Sequence, residues 1–209
     1  MKASMKLIYG TYNPAKVESM RRRVAGLDLE IIGLNEIENS LHSPEESGDT
    51  PIENATLKAV GYFDQLKAPL FSCDTGLVFE SVAEEDQPGT MVRRRDGQSF
   101  TYREMLDYYS EMAKRYGGKI TAYYKNAICL VLDDATVISY DGEDLWSERF
   151  YVVDKPHERY NEGFPLDSLS VEINSNQYYF DLETGIGEPD LQEDGFVKFF
   201  ERIIMDIQK

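Results

Sequence analysis

Three short stretches of this chain gather residue types that handle phosphate or a divalent cation. The first is Thr11-Tyr12-Asn13-Pro14-Ala15-Lys16. It follows an apolar run and opens a helical pattern, and the unsatisfied N–H groups of a helix start beside a lysine suit an anion such as phosphate. The same residues serve equally well as an Asn13 helix cap with a solvated Lys16. The second stretch holds Glu53, Asn54 and Lys58. Asn54 and Lys58 are four residues apart and share a helix face, and a carboxylate near a lysine suits magnesium and phosphate. Glu53, three residues after Thr50, also completes a capping box. The third is Cys73-Asp74-Thr75-Gly76, a carboxylate at the end of an apolar run. Such a group is costly to bury unless it is paired, hydrogen-bonded or bound to metal. A plain turn accounts for it too, because Asp and Gly are turn formers.

The elements that must position these residues can be read from periodicity. Lys6 to Gly10 is a short strand, and Pro14 opens a helix through Val17, Met20, Val24 and Leu27. Leu29 to Leu34 is a second strand, followed by a loop rich in Asn, Ser, Glu and Pro. Thr50 caps a helix with Pro51 at its first position and Ile52, Ala55, Ala59, Phe63 and Leu66 along one face, ending near Lys67. Leu70 to Cys73 and Leu77 to Glu80 read as two strands meeting at a bend. Thr101 to Tyr116 is helical and is stopped by Gly117-Gly118. Ile120 to Leu132, Thr136 to Tyr140 and Leu145 to Val153 read as antiparallel hairpin strands, and Phe196 to Ile207 as an amphipathic helix packed on the sheet.

The 209 residues, 42% of them hydrophobic, can bury one core or two lobes, and a single domain is the expectation. No run reaches the roughly 18 apolar residues that span a bilayer, and the chain starts straight into a strand pattern without a signal-peptide segment. A cytoplasmic protein with no membrane partner is expected. Cys73 and Cys129 lack the spacing of a zinc site or redox motif and read as reduced core residues. The net charge of −16 excludes a nucleic-acid polymer as partner, for want of a basic footprint. A nucleotide is still accessible if divalent cations and a few lysines offset its phosphates.

Order and spacing unite the three stretches. Thr-x-Asn-x-x-Lys, then Glu-Asn-Ala-x-x-Lys-Ala (Glu53 to Ala59), then Asp-Thr-Gly after a strand, resembles the inosine triphosphate pyrophosphatase family. Gly89 with Arg93 to Arg95, Gly142-Glu143 with Trp146, and Gly163-Phe164 with Asp167 are similar to later motifs of that family, more loosely. The resemblance implies an α/β, two-lobed fold in which a long twisted mixed β-sheet, flanked by helices, floors a central cleft. Lobe one would be roughly residues 1–100 with the C-terminal helix and lobe two roughly 117–175. It implies a homodimer that hydrolyses the α–β phosphoanhydride of a nucleoside triphosphate with Mg2+, releasing nucleoside monophosphate and pyrophosphate and cleansing the nucleotide pool. Carried over by residue, Lys16 and Lys58 hold phosphates, with Thr11, Asn13, Thr75 and Gly76 lining the phosphate site. Glu53 and Asp74 bind the metal, Asp74 also orients or deprotonates water, and Phe164 and Asp167 face the base. No covalent nucleophile is needed for in-line attack by water at the α-phosphorus.

The chain departs from the family twice. Cys73 stands where an acidic residue usually precedes the aspartate, and Gln192-Glu193-Asp194-Gly195 replaces the Ser-His-Arg that reads the purine. Glu193 or Asp194 facing the base would favour a base offering N–H donors and disfavour xanthine, whereas Asp194 as an N-cap would leave the base to other residues. Rival readings are a Maf-like nucleotide pyrophosphatase, whose opening loop is Ser-x-Ser-x-x-Arg; a nucleotide-binding regulator with weakened turnover; and a protein-interaction domain.

Overall fold

The computed structural model describes residues 4–38, 40–95, 98–161, 163–182 and 194–207. Their strands are β1 (Met5–Tyr9), β2 (Leu29–Gly33), β3 (Leu70–Phe79), β4 (Arg94–Arg95), β5 (Gln98–Ser99), β6 (Lys119–Asp133), β7 (Thr136–Tyr140), β8 (Phe150–Val153) and β9 (Ser170–Glu172). The helices are α1 (Pro14–Arg23), α2 (Pro51–Leu66), α3 (Tyr102–Arg115) and α4 (Gly195–Ile207). Seven strands form one mixed sheet in the order β2-β1-β3-β6-β8-β9, with β7 also paired to β6. β1 is parallel to β2 and β3, whereas β6 pairs antiparallel with β7 and β8, and β8 with β9. β4 and β5 form a separate hairpin. The chain is thus α/β, as expected.

Two compact units divide the chain, one of Met1–Thr75, Asn126–Leu145 and Pro189–Lys209, the other of Gly76–Lys125 and Trp146–Glu188. The seam falls inside β3 and inside β6, so residues 76–100 group with the second unit and not with the N-terminal residues. In the first unit, alternation along the strands sends side chains to two faces. Leu7, Tyr9, Phe71, Ile128 and Leu130 pack with Val17 and Met20 of α1 and Phe196, Phe199, Phe200 and Ile203 of α4. Leu70, Ala127, Cys129 and Val131 turn the other way, onto Ala55, Ala59, Tyr62 and Phe63 of α2. In the second unit α3 lays Met105, Tyr109 and Met112 on Leu77, Phe79, Ile120, Ala122 and Val152.

The helix ends follow their cap residues. Thr50 and Thr101 each form a capping box, with Glu53 and Glu104, and Lys67 ends α2 in the left-handed region at φ 50°. α1 stops at Arg23, sooner than its apolar spacing suggests.

Two expectations fail in instructive ways. Asp74-Thr75-Gly76 is not a bend between two strands but the middle of the ten-residue β3. β1 and β6 flank β3 in the sheet, so its backbone groups are used in ladders and the turn preference of Asp and Gly is overridden. Leu145 to Val153 is not one strand: Glu143–Leu145 is a short 3-10 helix and β8 begins only at Phe150. The Ser147 hydroxyl accepts the Tyr124 N–H at 2.8 Å in place of a ladder carbonyl, which interrupts regular pairing there.

Candidate active site

The site is built on the α2 face of the first unit. Asp74 shares the parity of Leu70 and Ser72 along β3, which points it toward α2, and there Lys58 Nζ donates to its Oδ1 at 2.7 Å. Both side chains are nearly buried, 12% exposed for Lys58 and 11% for Asp74, so the pair is shielded from water. Glu46 Oε2 lies 3.8 Å from the same ammonium. Lys58 therefore sits between two carboxylates.

Glu46 was not among the residues singled out from the sequence, where its loop reads only as polar. Its placement depends on how that loop lies along α2. Asn54, 3% exposed, accepts the Gly48 N–H at 2.8 Å and donates to the Gly48 carbonyl at 3.1 Å. A Cβ on Gly48 would stand 2.6 Å from Glu53 Cβ, so only glycine allows this approach. Farther along, Pro44 packs on Gly61, where a Cβ would meet its ring at 2.6 Å, and Gln65 exchanges hydrogen bonds with the backbone of His42. The signal was present as Gly48 and Gly61, but long-range backbone clamps cannot be read from local spacing.

Glu53 takes its capping role. Its Oε2 accepts the Asp49 and Thr50 N–H groups at 2.8 and 3.0 Å, and these bonds, the Thr50 N–H foremost, hold its carboxyl below the usual range. Its hydrogen bonds go there, not to Lys58 or Asp74. Asn13 likewise caps α1, accepting from the Ala15 and Lys16 N–H groups at 3.0 and 3.4 Å, while Thr11 Oγ1 accepts the Asn13 N–H at 3.2 Å. The Thr75 hydroxyl, on the face opposite Asp74, donates to Asn126 Oδ1 at 2.8 Å, and Gly76 continues the strand.

Cys73 also faces away from Asp74, beside Tyr9. Desolvation pushes its thiol up to about 11, against the Tyr9 hydrogen bond and the charges of Lys16, Lys58 and Arg23. Of these cations, Lys58 is the one that also contacts Asp74. Both cysteines are free thiols, as expected, and Cys129 is fully buried.

The base-side expectations fare differently. Asp194 is a buried N-cap of α4: its Oδ1 accepts the Phe196 N–H at 2.8 Å and its Oδ2 pairs with Arg23 Nε at 3.2 Å, with the guanidinium over the Phe196 ring. With both oxygens engaged inside the first unit, Asp194 is not an open carboxylate facing a base. Glu193 lies outside the described residues. Phe164 and Asp167 belong to the second unit. There Asn161 Nδ2 donates to Asp167 Oδ2 at 3.3 Å, and desolvation raises the Asp167 carboxyl to about 6.

A family model described as the Ham1 family matches residues 7–147. The chain belongs to the Ham1 family. The matched span holds Lys16, Glu46, Lys58 and Asp74 and stops short of Phe164, Asp167 and Asp194. A Thermoanaerobacter pseudethanolicus protein named dITP/XTP pyrophosphatase is 28% identical over 196 residues, covering 90% of this chain and 87% of that protein. A Thermus thermophilus protein of the same name is 30% identical over 170 residues, covering 81% and 77%. Among solved structures, a HAM1 protein from Coxiella burnetii superposes with a TM-score of 0.70 at 18% identity, covering 97% of this chain and 99% of that one. The Ham1 protein of Staphylococcus aureus gives 0.66 at 16% identity, covering 98% and 100%. These two share the fold.

Proposed function

We propose that this Ham1-family protein is a nucleoside-triphosphate pyrophosphatase, a hydrolase of acid anhydrides that cuts between the α and β phosphates and cleanses the nucleotide pool. The observation that carries the reading is the shielded Lys58–Asp74 pair at 2.7 Å, with Glu46 beside it. The relatives named dITP/XTP pyrophosphatase support the substrate class. The same pair favours an active enzyme over a binding regulator, since binding alone has no use for acidic groups beside the phosphate-holding lysines.

The acidic groups fit Mg2+. Asp74 and Glu46 are hard oxygen donors, and among the described residues no group of three or more His, Cys, Asp or Glu side chains forms a complete metal cage. One or two carboxylates, completed by water and substrate phosphate, are the usual protein share of a magnesium site. A divalent ion held there would neutralise phosphate oxygens and acidify a coordinated water. Asp74 and Glu46 would hold it, with Glu53 remaining a cap.

The chain's own residues do the rest. Lys16 and Lys58 bind phosphate oxygens and draw off the charge that develops on the leaving pyrophosphate. Asn13 and Thr11 fix the α1 entrance so that Lys16 keeps its direction. Asp74, anchored mid-strand, orients the attacking water and accepts its proton. Base choice does not fall to Asp194, so its charge is no bar to xanthosine triphosphate. Among the described residues no helix is long and apolar enough to cross a membrane. A cytoplasmic homodimer belongs to the same proposal.

The test is product analysis by 31P NMR on a panel of nucleoside triphosphates, with Mg2+ and with chelator. Pyrophosphate and monophosphate should appear only with metal, and Asp74→Asn should abolish them while circular dichroism stays native. Unimpaired Asp74→Asn, or turnover in chelator, overturns the assignment.

A further inference from the structure

The ammonium of Lys58 lies where a cation is wanted. It is 2.7 Å from Asp74 Oδ1 and 3.8 Å from Glu46 Oε2, in a place where both its own side chain and that of Asp74 are nearly buried. A carboxylate so shielded is costly without a counter-charge, and here the protein supplies one. The lysine rides on α2, a rigid helix, but its four-carbon stem lets the ammonium shift without moving the backbone.

We propose that Lys58 is the resident counter-cation of Asp74 and Glu46, keeping a divalent ion out until a triphosphate draws the ammonium away. With Lys58 in place, a metal ion at Asp74 would have to sit beside a like charge and take an oxygen already used by a short, charge-assisted hydrogen bond. A triphosphate changes both terms, because it gives the ammonium a better partner and frees Asp74 for the metal. Metal and nucleotide then bind as a unit, each raising affinity for the other by the same factor. Water attack is thereby confined to complexes in which the polyanion is already seated. The proposal rests on the pyrophosphatase reading for the identity of the polyanion alone.

The experiment titrates the full-length, nucleotide-free protein with Mn2+, reading free ion by electron paramagnetic resonance. Lys58→Gln should bind Mn2+ at least about tenfold more tightly than wild type. Lys58→Arg, which keeps the charge, should bind as weakly as wild type. Adding Asp74→Asn to Lys58→Gln should erase the gain. A non-hydrolysable α,β-methylene nucleoside triphosphate should tighten Mn2+ binding in the presence of wild type beyond what the analogue binds alone, and by less in the presence of Lys58→Gln. If Lys58→Gln, folded by circular dichroism, gains nothing, or if the gain survives Asp74→Asn, the proposal is wrong. Should Lys58→Gln not fold, wild-type Mn2+ binding that the analogue raises by no more than the analogue binds alone overturns it. A chain that shows this coupling but releases no pyrophosphate would overturn the functional reading and leave the counter-cation role standing.

Discussion

Asp194 and Asp167 are acidic residues with opposite environments, and each makes a separate prediction. Asp194 caps α4 and pairs with Arg23, so Asp194→Ala removes a cap and leaves a guanidinium without its partner. The expected loss is about 2 kcal/mol, with Asp194→Asn costing less because asparagine still caps. Denaturant melts of both variants check this, and the ratio of xanthosine to guanosine triphosphate turnover should stay put. A changed ratio would return Asp194 to base recognition. Asp167 accepts a hydrogen bond from the neutral Asn161 amide, and desolvation raises its folded-state carboxyl to about 6. A raised carboxyl means that the folded state favours the proton. Its stabilising contribution is complete below the unfolded value near pH 4 and is lost as pH rises through about 6. Asp167→Asn should therefore melt higher than wild type at pH 7, by up to about 3 kcal/mol, and match it near pH 4. Wild type melting higher at pH 7 would show that the carboxylate is held as an anion.

At the scale of elements, the phase of β3 decides which side chains meet. Asp74 falls toward α2 and Cys73 toward α1 and α4, so an acid at position 73 would join Tyr9 and not Asp74. Cys73→Asp should accordingly destabilise the fold without tightening Mn2+ binding, as thermal melts and titration would show. Tighter metal binding would contradict this phase. Glu53→Gln is the companion test at the α2 start. It should lower the melting temperature modestly and leave activity unchanged at limiting Mg2+, whereas a selective loss at low Mg2+ would make Glu53 a ligand. The sequence made α2 and α3 legible because cap, first-turn acid and apolar stripe all agree there, and the hairpin of β6 and β7 because a turn separates two apolar runs. It misjudged β3, since Asp-Thr-Gly carries local turn preference and the pairing that overrules it comes from strands far along the chain. Lys16, Lys58 and Asp74 were legible as types at a spacing. Glu46 was not, because its position depends on Asn54, Gly48 and Gly61 acting together.

For the whole molecule, a net charge of −16 sets the terms on which a triphosphate can bind. On the proposed mechanism the shielded Lys58, together with a divalent ion admitted with the substrate, would offset that field locally. Raising ionic strength screens the general repulsion more than the near-buried Lys58–Asp74 contact, so moderate salt should lower KM or leave it unchanged. A steep rise of KM with salt would mean that surface attraction, not the shielded pair, drives binding. On the proposed mechanism, water is directed to the α-phosphorus beside Asp74. Turnover in 18O-labelled water, followed by mass spectrometry of both products, tests it directly. Pyrophosphate should be the leaving product, with one labelled oxygen in the nucleoside monophosphate; label in pyrophosphate, or release of nucleoside diphosphate with orthophosphate, would contradict attack at the α-phosphorus.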